Sequence, residues 1–354
     1  MSDPQNLHDY EAPAAEVLEA GALGYYAGGA GDEITLADNT ASWSRWALKP
    51  RVLRDVAHVD TSVELLGRTH EHPVLVAPMA YQRHAHPDGE LATARACAAT
   101  GTTMVLSSQT TTPPAEVAAA VDAPRWFQVY VFKDRAVTAD LVEQAVAGGY
   151  EALVLTVDFP VGGWRERDRR SGFTVDKPVA LNTSGSPTST ADLFAAHDPS
   201  LTWDDVERLA ADSGLPVLLK GVLHPDDARL AVAAGAAGVI VSNHGGRQLD
   251  TVLSGSDALG PVVEAVDGAV PVLVDGGVRR GWDVVKALAR GADAVLLGRP
   301  VLWALATDGE AGVTHALGLL RAELENALAL VGCPRARDLD ASFVQPAPWA
   351  GPVP

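Results

Sequence analysis

Only two cysteines, Cys97 and Cys333, occur in the 354 residues. That excludes a disulfide framework and a four-cysteine zinc site, and no metal site is expected. It fits a reducing compartment, with the cytoplasm as the expected location. Basic residues are also scarce: 27 Lys and Arg stand against 45 Asp and Glu, a formal net charge of −18. Nucleic-acid binders need a net basic face, so no nucleic-acid partner is expected. No apolar run approaches the ~20 residues that span a bilayer. Residues Met1–Asn6 hold neither a basic region nor an apolar stretch, and the Pro-Val-Pro end matches no common sorting signal. No membrane association or secretory signal is therefore expected. A Walker loop and a strand–GxGxxG–helix fingerprint are both missing, which argues against ATP and dinucleotides.

What is present is enough apolar material for a core, 47% of residues against 20% charged. Disorder is thereby excluded as the overall state. Eight short apolar runs recur: Pro73–Pro78, Thr103–Ser107, Trp126–Val131, Ala152–Asp158, Pro216–Gly221, Gly238–Ser242, Pro271–Asp275 and Asp293–Gly298. They are continuous rather than alternating, as parallel strands covered on both faces must be. Ala-rich helical stretches lie between them, at Gly89–Thr100, Asp140–Ala147, Pro225–Ala234 and Trp282–Arg290. Eight βα units in series predict an α/β fold, a (β/α)8 TIM barrel with an N-terminal helical extension and a long loop after the fourth strand. A doubly wound sheet, the alternative, usually has fewer strands and a Gly-rich first turn. One domain over 1–354 is expected, with an extension at 1–60, barrel strands within 73–300, a lid at 159–215 and a loosely ordered Pro-rich tail at 345–354. The lid expectation rests on the Ser/Thr/Gly/Pro-rich centre Ala180–Thr190, leaving the end of the barrel where such folds keep their sites.

Polar residues gather at the predicted strand ends. The fourth strand ends in Thr156-Val157-Asp158, the fifth in Lys220-Gly221, and the sixth runs into Ser242-Asn243-His244-Gly245-Gly246-Arg247. Gln128 and Tyr130 point the same way from the third, because side chains alternate along a strand. Any one of these could be a polar strand cap; a base, an acid, a Lys, a Tyr and arginines at one mouth suggest chemistry. The last two strands lead into Asp275-Gly276-Gly277-Val278-Arg279 and Gly298-Arg299-Pro300. Glycine loops expose backbone N–H groups and Arg adds a fork of donors, so this pair suits a phosphate.

The segment Ser242–Asp250 (SNHGGRQLD) closely resembles the signature of the FMN-dependent α-hydroxy-acid oxidases and dehydrogenases. Further matching pieces are Tyr25–Leu36, Ala77–Glu90, Phe127–Arg135, Thr156–Asp168, Leu219–Gly221 and Asp275–Gly281, in order over nearly the whole chain. The resemblance implies FMN as cofactor, a 2-hydroxy acid and oxygen as small-molecule partners, and a homotetramer. It implies that His244 is the base, that Asp158 holds its imidazole, and that Arg165 and Arg247 clamp the substrate carboxylate. Tyr25 and Tyr130 would hydrogen-bond the substrate, and Lys220 would stabilise charge on reduced flavin. Pro78, Met79, Ala80, Ser107, Gln128, Thr156 and Ser242 would contact the ring, and Asp275 the ribityl chain. Gly276, Gly277, Val278, Arg279, Gly298 and Arg299 would take the phosphate side.

The expected product is the 2-oxo acid of an (S)-2-hydroxy acid, with hydrogen peroxide from oxygen. A dehydrogenase with another acceptor and a decarboxylating monooxygenase are the alternatives; Ala80, where the monooxygenase has Gly, disfavours the latter. Two departures concern specificity. Glycolate oxidase has Trp where this chain has Gln109, and Leu where it has Gly162. Both changes remove bulk, which implies a substrate larger than glycolate, with mandelate-like acids among the candidates. The alternative is that Trp164, Tyr81 or the lid refills the space.

Overall fold

All eight apolar runs become parallel strands that close on themselves. The computed structural model describes residues 3–175 and 188–349. The barrel strands are β1 (Val74–Val76), β2 (Thr103–Ser107), β3 (Arg125–Val129), β4 (Leu153–Thr156), β5 (Val217–Val222), β6 (Gly238–Val241), β7 (Val272–Asp275) and β8 (Ala294–Leu297). Closure is direct: Val295 of β8 pairs in parallel register with Val74 of β1. Nearly every strand residue is buried, the physical reason the runs show no alternation.

Outside the strands lie α1 (Gly89–Ala99), α2 (Pro114–Ala120), α3 (Arg135–Ala147), α4 (Trp203–Ser213), α5 (Pro225–Ala233), α6 (Gly255–Val266), α7 (Gly281–Ala289) and α8 (Arg299–Val331). Their starts follow local chemistry. Asp205 accepts from the Thr202 N–H at the head of α4, and the Ser254 hydroxyl accepts from the Asp257 N–H at the head of α6. α8 breaks at Asp308 and Gly309, whose backbone angles are not helical.

Residues ahead of the barrel form helices Glu11–Val17, Ala20–Ala27 and Ile34–Ala41. The last of these is fastened by the SNHGGRQLD segment itself. Asp250 accepts from the backbone N–H groups of Asp32, Ile34 and Thr35, filling the donors at the helix start. Asn39 and Asn243 exchange reciprocal amide hydrogen bonds at 3.0 and 2.7 Å.

One difference from the sequence reading stands out. Gln345 and Pro346 are not loose: Val344–Pro346 pairs antiparallel with Trp46–Leu48. Trp349 also donates to the Ser44 carbonyl, so the tail is anchored by pairing that no local pattern announces. Residues 350–354 lie outside the described residues. Of the lid centre Ala180–Thr190, residues 180–187 also lie outside them. Its described parts are helix Glu166–Ser171, the antiparallel pair Thr174–Val175 with Thr188–Ser189, and helix Thr190–Ala195. The chain then returns across β3's extension, where Phe132 bridges His197.

Candidate active site

The C-terminal ends of the strands surround a cavity of about 1090 Å³, counted with the part of its mouth that is open to solvent. One side is built from loops after β6, β7 and β8. The chain turns sharply at His244, Gly245 and Gly246, all with positive φ of 59°, 66° and 73°. For His244 this left-handed backbone is a strained conformation of the kind that clusters at functional sites. A Cβ on Gly246 would lie 2.7 Å from the Leu36 nitrogen, and one on Gly277 1.8 Å from the Asn39 carbonyl oxygen. Those two positions admit only glycine because helix Ile34–Ala41 presses against them.

The β6 turn aims His244 at its neighbours. Its Nδ1 lies 2.9 Å from Asp158 Oδ1, and its Nε2 lies 3.2 Å from the Tyr130 hydroxyl. Burial is the main influence on the ring and holds it below the ordinary histidine value, although Asp158 works the other way. The imidazole is therefore neutral at neutral pH and able to accept a proton. Burial raises the Asp158 carboxyl, but its partner imidazole and Lys220 outweigh that and keep it below the usual range. Asp158 sits behind His244 rather than on the cavity wall, as an orienting carboxylate should.

Two arginines converge on the same space, neither with an ionised partner at hydrogen-bond distance among the described residues. Arg165, 3% exposed, donates to the Arg247 carbonyl at 2.8 Å and to Gln248 Oε1 at 3.0 Å. Its nearest carboxylate, Asp168, is 4.0 Å away. Burial first, and Arg247 second, push the Arg165 guanidinium down to about 10. Arg247 donates to the carbonyls of Tyr25 and Gly28, and its Cζ lies 4.7 Å from the Tyr25 ring centre. Two desolvated cations so placed favour an anion between them.

The opposite part of the cavity is lined by Pro78, Met79 and Ala80, with Ser107, Gln128 and Thr156 at its floor. Gln128 Nε2 donates to Thr156 Oγ1 and its Oε1 accepts from Ser107 Oγ, both at 3.0 Å. Lys220 Nζ lies 3.1 Å from Asp275 Oδ2 and donates to Ser242 Oγ at 2.8 Å. Asp275 Oδ1 is buried with no partner among the described residues. Among the described residues the Arg279 and Arg299 guanidiniums donate only to backbone carbonyls: Val278 for the former, Tyr26, Gly28 and Gly245 for the latter. Burial, followed by neighbouring arginines, holds Arg299 well below its ordinary value. Glycine loops, uncompensated guanidiniums, an orphaned carboxylate oxygen and a polar floor fit a long polar group carrying a phosphate at one end, as FMN does.

Most residues singled out in the sequence line this cavity: Tyr25, Pro78, Met79, Ala80, Ser107, Gln109, Gln128, Tyr130, Thr156, Arg165, Lys220, His244, Arg247, Asp275, Gly276, Gly277, Val278, Arg279, Gly298 and Arg299. Two do not. Ser242 is wholly buried behind the wall, where it accepts from Lys220 and from the His244 N–H, so it holds other site residues in place. Gly162 borders a neighbouring space under the lid, because Phe194 stands between it and the cavity. A Cβ at Gly162 would meet Phe194 Cδ2 at 2.4 Å, so the room freed there is already filled by helix Thr190–Ala195. Trp164 plays no part in refilling: it is exposed, with Arg169 over its ring. Sequence reasoning missed Tyr26, Phe159, Phe194 and His197 on the wall, whereas Tyr81, named as a candidate space-filler, does stand there against Gln109. No motif carries Phe194 or His197; both arrive through long-range packing of the lid.

A family model described as FMN-dependent dehydrogenase matches residues 14–346. An L-lactate oxidase of Nostoc sp. is 49% identical, covering 97% of this chain and 99% of the relative. A 2-hydroxyacid oxidase 1 of Homo sapiens is 46% identical, covering 97% of each. A solved mandelate oxidase, with (S)-4-hydroxymandelic acid, superposes with a TM-score of 0.92 at 42% identity, covering 97% of this chain and 99% of the other. A glycine-and-arginine cradle, an oriented imidazole and a closed barrel thus meet in one molecule: the chain belongs to the FMN-dependent dehydrogenase family and is a flavin-dependent oxidoreductase.

Proposed function

We propose that this enzyme oxidises an (S)-2-hydroxy acid to the 2-oxo acid and passes the electrons to oxygen, giving hydrogen peroxide. The observation that carries the reading is the convergence of His244, Tyr130, Arg165 and Arg247 on one space beside Met79 and Ala80. FMN, when bound, supplies the two-electron acceptor. Gly277, Arg279, Gly298 and Arg299 would hold its phosphate side. Pro78–Ala80, Ser107, Gln128 and Thr156 would meet its ring, Asp275 its polyol chain, and Lys220 would place positive charge by the ring.

Arg165 and Arg247 bind and orient the substrate carboxylate, where paired forks fix direction as well as energy. Tyr130 and Tyr25 hold the substrate beside the imidazole. His244 Nε2 takes up one proton from the substrate, and the two electrons with the second proton pass to the acceptor that FMN would supply. Asp158, bonded to Nδ1, fixes the tautomer and stabilises the imidazolium that forms. Oxidase names among the relatives support oxygen as acceptor, and the mandelate oxidase neighbours support an aromatic acid larger than glycolate. The resemblance also favours a homotetramer, to be read by mass photometry.

The test is anaerobic mixing of the purified yellow enzyme with glycolate, lactate, mandelate and longer 2-hydroxy acids. Bleaching of the flavin followed by peroxide and 2-oxo acid on readmitting air is the expected result. A carboxylic acid one carbon shorter would point to decarboxylating monooxygenation instead, and bleaching by none of the acids would end the reading.

A further inference from the structure

One wall of the cavity holds a polar pair inside an aromatic cage, with Arg165 at its edge, its Cζ 4.9 Å from the Phe194 ring centre and 5.8 Å from that of Phe159. Gln109 follows β2 and is 3% exposed; His197 follows the lid helix Thr190–Ala195 and is 4% exposed. Gln109 Nε2 donates to His197 Nε2 at 2.9 Å, and Gln109 Oε1 accepts from the Tyr81 hydroxyl. The His197 ring packs 4.8 Å from Tyr130, 5.0 Å from Phe159 and 5.0 Å from Phe132, measured between ring centres. The backbone on both sides of it is stitched to β3's extension, Lys133 N–H to Ala196 O and Asp198 N–H to Val131 O, both 2.9 Å. The imidazole is therefore fixed relative to Tyr130, and through it the lid arm is joined to the β2 loop.

A primary amide offers two N–H donors and two lone pairs. Among the described residues Gln109 spends one of each on its side-chain partners. It lines the cavity and is 3% exposed, so the second N–H and second lone pair are open to a group bound in the cavity. Around them stand Tyr130, Phe159 and Phe194, which suit an apolar body.

We propose that Gln109 and His197, braced by Tyr81, form one specificity-determining unit that recognises a hydrogen-bonding group on the side chain of the 2-hydroxy acid. The inference rests on the reaction proposed above and deepens it. The arginines take the carboxylate, the aromatic residues take the body of the side chain, and the Gln109 amide takes a hydroxyl or amide at its far part. His197 acts by holding that amide in one orientation.

The experiment is anaerobic stopped-flow reduction of the holoenzyme by acids matched except for one hydroxyl: mandelate with 4-hydroxymandelate, and 2-hydroxy-3-phenylpropanoate with its 4-hydroxyphenyl counterpart. We expect the hydroxylated member of at least one pair to have a kcat/KM about tenfold or more higher, since a site built to bond a hydroxyl penalises its loss. Gln109→Met and His197→Phe should each collapse that ratio toward one. The double variant should lower it no further than either alone, because the two act as a unit. Calorimetric binding of the matching 2-oxo acids to the oxidised holoenzyme should follow the same pattern, and thermal unfolding reports whether each variant is folded. Should Gln109→Met fail to fold, His197→Phe carries the test. A wild-type ratio at or below one in both pairs, or a ratio that neither substitution changes, overturns the unit's role while leaving the reaction intact. Failure of every acid to reduce the flavin overturns the reaction and this inference with it.

Discussion

The two sides of the cavity are built by different means. The side after β6, β7 and β8 is made of short loops whose glycines and arginines sit beside helix Ile34–Ala41. The side under the lid is made of Phe159, Phe194, His197 and Gln109, drawn from segments far apart in the chain. On the first side the backbone itself is the binding element, so residue type is dictated by closeness and charge. On the second only shape and a few hydrogen bonds matter, and several residue types could satisfy them. The difference separates loops fixed by close backbone packing from a wall fixed by side chains that meet over long range.

Substitutions can break that comparison, and the largest effect is expected on the first side. His244→Gln should keep bound FMN, seen as an unchanged visible spectrum, while anaerobic flavin reduction slows by about 10⁴-fold or more, since the base acts within a unit with Asp158. Rapid reduction in that variant would show that the imidazole is not the base.

The next effect belongs to the lid side and concerns pH. Burial holds His197 down to about 4, against an ordinary 6.5. A depressed histidine makes the unfolded chain bind more protons between those values. Its contribution is thus fully present above about 6.5 and is lost as pH falls toward 4, by about 3 kcal/mol in all. Urea unfolding across that window should show a steeper acid loss in the wild type than in His197→Phe. Equal slopes would mean that the ring is not buried neutral.

A smaller effect returns to the cofactor side. Arg299→Met should weaken FMN retention by roughly 10- to 100-fold, the value of one charge-assisted contact. Flavin release on dilution measures it, and full retention would place the phosphate elsewhere. Smallest of all, Phe194→Ala should leave FMN content as it is and raise KM for small 2-hydroxy acids by about tenfold or less, through lost packing. Loss of FMN from this variant would erase the division between the two sides.

That division also explains what the sequence could tell. β-branched runs bounded by Pro and Gly, such as Pro271–Asp275, are legible because a strand covered on both faces has no polar alternation to obscure it. The β6 turn is legible because Asn243-His244-Gly245-Gly246 must reverse the chain through left-handed angles. Gly277 is legible as part of the glycine loop Asp275–Arg279 that exposes N–H groups, whereas the reason it admits no Cβ, the approach of helix Ile34–Ala41, is visible only in the fold. Phe194 and His197 are not legible, because their place depends on where the lid's return arm crosses β3's extension. The bulk inferred to be missing at Gly162 was restored from thirty-two positions along the chain, by Phe194, which no local pattern connects to it. The Gln345–Pro346 pairing with Trp46–Ala47 was hidden for the same reason.

Asp250 closes the β6 segment by seating the first turn of helix Ile34–Ala41, while Asn39 and Asn243 clasp further along. The early chain and the histidine-bearing turn are therefore a matched pair. A chimera that swaps barrels between homologues must carry both pieces across together. A shortened version beginning after Ala41 would strip the scaffold from the very turn that presents the base, however intact its strands remained.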